Sequence, residues 1–265
     1  MTMAVIDIIK RPTNIFLSTL RYIGQITLLL QQTLNLAFTK PFYGDRFLSQ
    51  AKRVGPGSFA IAALVGFFVG MIIALQMAYQ MVKLSAEIYI PNVVGVAVTR
   101  ELAPVLTALI VAGRMGAGIT AEIGSMVVTD QVDALRAFGV NPVKYLVVPR
   151  FLAMVVMLPI LTVFADLLSI LGGFVICYFK LAINPHMYFS MVFQSLQIKD
   201  IFVGLLKSLF FGMIIALVGC FQGLSVKGGA EGVGKATTVA VVVSFIMVIV
   251  TDCLFATIFY FVFNS

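Results

Sequence analysis

Apolar residues gather into five long runs, at 58–82, 92–120, 147–179, 201–223 and 238–263. A helix needs about 20 apolar residues to cross a hydrocarbon core about 30 Å thick, and each run supplies that length. Inside such a core every backbone N–H and C=O has to be satisfied within the chain, so the runs are expected to be helices. The first run is free of charge. The second contains Arg100, Glu101 and Arg114, and the third carries Arg150 near its start and Asp166 near its middle. The fourth has only Lys207 and the fifth only Asp252. The pattern predicts an all-α integral membrane protein with five transmembrane helices.

The region before the first run reads differently. Residues 14–38 place Phe16, Leu17, Leu20, Ile23 and Leu30 against Arg21, Gln25, Gln31, Gln32 and Asn35, and their longest apolar stretch is too short to span. This predicts an amphipathic helix lying along the membrane interface. The chain therefore divides into an N-terminal interfacial region, 1–53, and a five-span region, 54–265.

Composition agrees. Of 265 residues, 61% are hydrophobic and 11% charged, against about 25% charged in a soluble domain. The start lacks the basic segment, apolar core and small-residue cleavage site of a secretory signal. The net charge of +7 comes mostly from residues outside the runs. Lys10, Arg11, Arg21, Lys40, Arg46, Lys52 and Arg53 precede the first run, and Arg136, Lys144, Arg150, Lys227 and Lys235 fall on the same side. The other side holds Lys83, Lys180 and Lys199. By the positive-inside rule the N-terminus is cytoplasmic and the C-terminus lies outside, and the charge speaks of orientation and lipid headgroups before nucleic acid. Tyr79, Tyr89, Tyr145, Tyr178 and Tyr260 stand near run ends, as interface anchors do. Cys177, Cys220 and Cys253 sit singly in apolar runs and read as small buried hydrophobes, and a single histidine, His186, argues against a His-based metal centre.

Four constellations remain. Between the second and third runs, Asp130 is placed to cap a short helix over 130–138, with Asp133 in its first turn and Gly139-Val140-Asn141-Pro142 ending it. Such a helix presents Val132, Leu135 and Phe138 among charges, the mark of a docking surface rather than a plain connection. In the second run, Arg100 and Glu101 stand beside Pro104, which is expected to kink the helix. Adjacent residues lie about 100° apart on a helix, so each is expected to find its own partner. Ala97, Glu101, Val105 and Ala108 share one narrow face suited to a groove or cavity. Asp166 and Asp252 lie in separate runs and suit helix-to-helix hydrogen bonding or a polar cavity; an intramembrane aspartyl protease is the rival, without a supporting motif. Finally, 229–236 nearly spells a phosphate-binding loop, but Ala236 replaces the metal-binding hydroxyl and no strand precedes it, so a Gly-rich cytoplasmic turn is the better reading. Gly66 and Gly70, Gly113 and Ala117, and Gly212 and Ala216 have the small-xxx-small spacing of close helix contacts.

Three segments carry a resemblance: TRELAPVLTALIVAGRMGAGITAEIGSM, TDQVDALRAFGVNPVKYLVVPR and GGAEGVGKATT. Together they resemble the MlaE/YrbE-type permeases, the membrane subunits of ABC transporters associated with MCE proteins, which include the chloroplast lipid-import permease. The resemblance covers the chain from about residue 54 onward, and the first 50 or so residues match in character only. It implies a non-catalytic permease subunit of the inner membrane that needs no cofactor. It also implies a homodimer served by a cytoplasmic ATPase dimer, an MCE-domain protein on the far side and a small STAS-domain partner. The cargo it implies is lipid, typically phospholipid, moved between the inner membrane and the outer envelope. The family's coupling helix falls on 130–138, bringing Asp130, Val132, Asp133, Leu135, Arg136 and Phe138. Its lipid cavity, at the dimer interface, brings Glu101 and Arg100 with Ala97 and Val105, and Leu75 and Tyr79 near the mouth. A permease of the same type for a sterol or an organic solvent is the alternative.

Overall fold

A computed structural model describes residues 2–39 and 43–263, with side chains from Leu20 to Phe261 apart from 40–42. Ten α-helices account for almost all of it: α1 (Thr2–Ala37), α2 (Gly44–Met81), α3 (Ile90–Ala97), α4 (Ala103–Val111), α5 (Ala117–Val128), α6 (Gln131–Ala137), α7 (Val148–Leu181), α8 (Pro185–Ser195), α9 (Ile198–Leu224) and α10 (Gly229–Phe263). No strand is present among the described residues. Helices α3, α4 and α5 follow one another without a loop, joined by π-helical turns at Val98–Leu102 and Ala112–Gly116. Counted so, five helical segments are long and apolar enough to cross a membrane: Gly44–Leu84, Glu87–Val128, Val143–Leu181, Ile198–Leu224 and Gly229–Phe261. The five expected spans are all there, each longer than its apolar run because charged turns continue the helices beyond the hydrocarbon. Successive crossings put α6 and the α9–α10 turn at one end, and the α2–α3 turn and α8 at the other.

Three elements differ from the expectation. Helix α1 begins at Thr2, not at residue 14, and continues through Pro12. Its later turns rest on the bundle: the Tyr22 ring stands edge-on to Phe221 at 5.2 Å, and Gln222 Nε2 donates to the Tyr22 hydroxyl at 3.0 Å. Leu20, Ile23 and Leu28 stay exposed on the other face, as an interfacial helix requires. Helix α2 runs unbroken through residues 53 and 54. Second, residues 229–235 are not a turn but the opening of α10; Lys235 pairs with Glu231 at 2.7 Å, one helical turn apart. Gly228 and Gly229, with φ of +88° and +68°, make the reversal at its start. Third, α8 was not anticipated. Asn184 caps it, accepting the His186 N–H at 2.9 Å, with Pro185 in the first turn. Tyr188 on α8 is buried and donates to the Ile170 carbonyl at 2.9 Å, and burial raises its pKa above the ordinary phenol range.

Close helix crossings hold the bundle together. The most intimate pairs α2 with α7, where Gly66 and Gly70 meet Ala165 and Ser169. Ser169 Oγ donates to the Gly66 carbonyl at 2.8 Å. A methyl group at Gly70 would lie 1.8 Å from the Ser169 carbonyl oxygen, and one at Gly172 would lie 2.0 Å from that of Phe67. Gly212 brings α9 against Met154 of α7, and Thr120 of α5 donates to the Gly219 carbonyl at 3.0 Å. Gly113, by contrast, has only the Phe245 ring at 3.9 Å, so its small-residue spacing marks no close backbone contact. With lipid outside and no hydrophobic drive between helices, backbone approach and hydrogen bonds of this kind carry association. Gly70→Val is therefore expected to force α2 and α7 apart and cost about 1–3 kcal/mol of overpacking strain. Gly118→Ala, where nothing lies within 4 Å, should leave stability unchanged or raise it. Thermal unfolding of the two variants in detergent, measured against wild type, checks the contrast.

Candidate functional site

The second span supplies the centre of the site. Pro104 has no N–H to give the carbonyl four residues back, and the chain answers with the π-turn Val98–Leu102, in which the Ala103 N–H reaches the Val98 carbonyl instead. The expected kink is thus an inserted residue. It shifts the register of the face read from the sequence: Ala97, Glu101 and Val105 remain half-buried, but Ala108 turns into the core.

Glu101 leaves this turn toward α9, where Lys207 Nζ lies 2.5 Å from Glu101 Oε2 and 2.9 Å from Asp252 Oδ1 of α10. The first contact is a hydrogen bond. The second has the distance of an ion pair but not hydrogen-bond angles, and Asp252 Oδ1 has no other partner. Lys207 is fully buried, whereas the Glu101 side chain keeps 36% of its surface exposed. Arg100 sits at the edge, 3.8 Å from Glu101 Oε1 and 3.9 Å from Asp200 Oδ1, its guanidinium 3.9 Å above the Phe259 ring. The expectation that Arg100 and Glu101 would have separate partners describes Lys207 and Asp200. The two also approach each other, because the π-turn narrows the angle between neighbours and the long arginine bends back. Three carboxylates, Glu101, Asp200 and Asp252, thus surround two cations, Arg100 and Lys207, among apolar helices. Sequence reading missed Lys207 and Asp200 as members. Lysine alone in an otherwise uncharged span was the available signal.

Leu75 and Tyr79 lie elsewhere. They are exposed near the end of α2 and line a separate cavity of about 720 Å³ with Lys83, Glu87 and Lys180. Within one chain the residues expected in a single cavity therefore form two clusters. Asp166 on α7 joins neither: its Oδ1 is buried without a partner, and no hydrogen bond links it to Asp252.

At the opposite end α6 rests on the bundle through Val132 and leaves its other faces exposed. Asp130 precedes it, but with φ of +57° it makes no side-chain cap, contrary to expectation: in the left-handed conformation its carboxyl does not reach the first N–H groups. The far end follows the sequence. Gly139, at φ +73°, donates to the Arg136 carbonyl and Val140 donates to that of Leu135, the two bonds of a Schellman ending. Val132 is buried, so it is not part of an outward face; Leu135 is half-buried and Phe138 is 84% exposed. Arg136 is held to Asp133 at 2.8 Å. Beside α6 a recess of about 430 Å³ is lined by Arg136, Gly139, Pro142 and Leu224. Just inward, Glu122 clamps Arg53 of α2 at 2.6 Å and Arg150 of α7 at 2.7 Å, a junction that sequence reading did not identify.

Removing one partner of a buried ion pair leaves uncompensated charge, at a cost of about 3–5 kcal/mol. Lys207→Met should destabilise by that order, and adding Glu101→Gln and Asp252→Asn should restore most of it. Chemical unfolding of the single and triple variants in detergent measures the difference; equal stability of Lys207→Met and wild type would remove the network from the forces holding α9 and α10.

Comparison with known proteins agrees with this architecture. The sequence profile of the MlaE permease family matches residues 47–258. A probable ABC transporter permease protein of Synechocystis sp. is 46% identical over 205 residues, covering 77% of this chain and 78% of its own. A probable ABC transporter permease protein of Rickettsia typhi is 42% identical, covering 81% and 83%, and one of Pyropia yezoensis is 38% identical, covering 83% of each. The chain, a multi-pass helical membrane protein, belongs to the MlaE permease family.

Proposed function

We propose that this permease subunit moves lipids, in particular phospholipids, between the inner membrane and the outer envelope, as a homodimer driven by a separate cytoplasmic ATPase dimer. The observation that carries the reading is the Glu101–Lys207–Asp252 network with Arg100 at its edge. A carboxylate deep in a span costs on the order of 2.5–3.5 kcal/mol on insertion scales and persists where it is paired or faces a hydrated cavity. Glu101 meets both conditions: Lys207 pairs it on one side, and more than a third of its surface is open on the other. Helices α2 and α10 both leave large apolar residues exposed, Leu64 and Phe68 on one and Ile249 and Leu254 on the other, and α10 reaches the network through Asp252 and Phe259. In the proposed dimer they wall a cavity whose charges meet a headgroup and whose apolar sides meet acyl chains. A sterol or an organic solvent brings no formal charge to match them. The protease reading has no support in the geometry, because Asp252 is engaged with Lys207 and shares no hydrogen bond with Asp166.

Helix α6, with Phe138 exposed beside a recess, is the proposed coupling element for the ATPase. In this reading the α6 end is cytoplasmic, as the distribution of Lys and Arg favours. An MCE-domain protein then stands at the α8 end, and a small STAS-domain protein joins on the cytoplasmic side.

Two experiments test the proposal. Phe138→Asp or Leu135→Asp should release the ATPase while the permease stays folded; co-purification of ATPase at wild-type yield with both variants would refute the role of α6. Glu101→Lys should abolish lipid transfer in a reconstituted assembly that still contains dimer and ATPase, and Glu101→Gln should be milder. Normal transfer by Glu101→Lys, with no lipid adduct from a photoreactive residue at 101, would overturn the cavity assignment.

A further inference from the structure

The cavity around Leu75 and Tyr79 has a chemistry of its own. Its volume, about 720 Å³, is within the range of small-molecule sites. Leu75, Val82 and Leu181 give it apolar walls, and Lys83 and Lys180 reach it from the ends of two different spans. Lys83 is steered by Tyr79, whose ring centroid lies 4.1 Å from the ammonium. Among the described residues neither lysine has a carboxylate within ion-pairing distance, Glu87 included. Glu87 also lines the cavity, and its Oε2 is buried with no hydrogen-bond partner. A buried carboxylate oxygen left unpaired is costly, and the cost is recovered when a donor reaches it. The wall bearing these groups is shaped by two short 3-10 turns, Val82–Leu84 and Glu87–Tyr89, around Ser85 at φ +51°.

An occupant that satisfies all three features has an apolar body, an anionic group between two ammonium ions, and a hydrogen-bond donor beside the anion. We propose that the cavity is a headgroup-selecting site for a phospholipid whose head carries such a donor, the ammonium of ethanolamine or the hydroxyls of glycerol. The phosphate sits between Lys83 and Lys180, the donor reaches Glu87 Oε2, and the chains lie along Leu75 and Leu181. Choline fits less well, because its quaternary nitrogen has no hydrogen to give. The inference rests on the phospholipid reading above and adds a selection step at the α8 end, apart from the Glu101 network.

The test uses the full-length protein in phosphatidylcholine nanodiscs doped with phosphatidylethanolamine or phosphatidylglycerol, with a photoreactive phenylalanine analogue in place of Leu75. Mass spectrometry of the adducts is the readout. Ethanolamine or glycerol lipids should be enriched over choline lipid relative to their share of the bilayer. Lys83→Ala with Lys180→Ala should lower all lipid adducts at least about tenfold, the scale of losing charge-assisted hydrogen bonds. Glu87→Ala should erase the preference while leaving choline-lipid adducts in place, and Glu87→Gln, which keeps an acceptor, should retain part of it. Labelling in proportion to bilayer composition, adducts unchanged in the double lysine variant, or a crosslink to another protein chain would each overturn the proposal. An assembly that shows the preference but transfers no lipid keeps the site and refutes the transport reading. Transfer of lipid with no preference at Leu75 does the reverse.

Discussion

A single buried ammonium organises the middle of this molecule. Lys207 has no access to solvent, and both groups it contacts come from other helices, Glu101 from the π-turn of the second span and Asp252 from α10. In a low-dielectric interior such a charge is tolerated only when it is surrounded by opposite charge. The requirement works in both directions. α9 cannot rotate or slide without exposing Lys207, and neither partner helix can withdraw without stranding a carboxylate. Three segments are therefore held at one depth in a setting where apolar contact discriminates poorly between registers.

The glycine crossings make that arrangement reachable. Gly66 and Gly70 bring α2 onto α7, Gly212 brings α7 onto α9, and Gly219 brings α9 onto α5. Each close approach fixes a relative height, and together they place the Lys207 level of α9 opposite Glu101. The π-turns complete it. An ordinary helix across residues 98–102 would have to spend a hydrogen bond at Pro104. Widening the turn keeps the ladder largely satisfied and re-aims Arg100 and Glu101 together.

The same continuous segment links the centre to the α6 end. From Glu101 it runs through Arg114, whose guanidinium donates to Ser58 Oγ of α2 at 3.1 Å, and through Thr120, bonded to α9. It then passes Glu122, which ties α2 and α7, and reaches α6 after a two-residue turn. A displacement of α6 thus bears on a rod that is anchored to α2, α7 and α9 below the network. That continuity supports the proposed role of α6 as the coupling element.

Sequence alone determined the helical class, the five spans and the Gly139 ending of α6. These depend on local chemistry: run length against membrane thickness, and the freedom of glycine at positive φ. It also marked Glu101 and Arg100, because ionisable groups are conspicuous in an apolar run. It could not decide their partners, since Lys207 and Asp200 are about a hundred residues away and only packing brings them within reach. It misjudged the capping role of Asp130, the outward aspect of Val132 and the turn at 229–235, where backbone conformation and burial overrode residue preference. Nor could it separate Leu75 and Tyr79 from the Glu101 cluster. Where a cavity begins and ends is set by which helices touch, and in this protein that is settled by glycine-mediated crossings and one buried lysine.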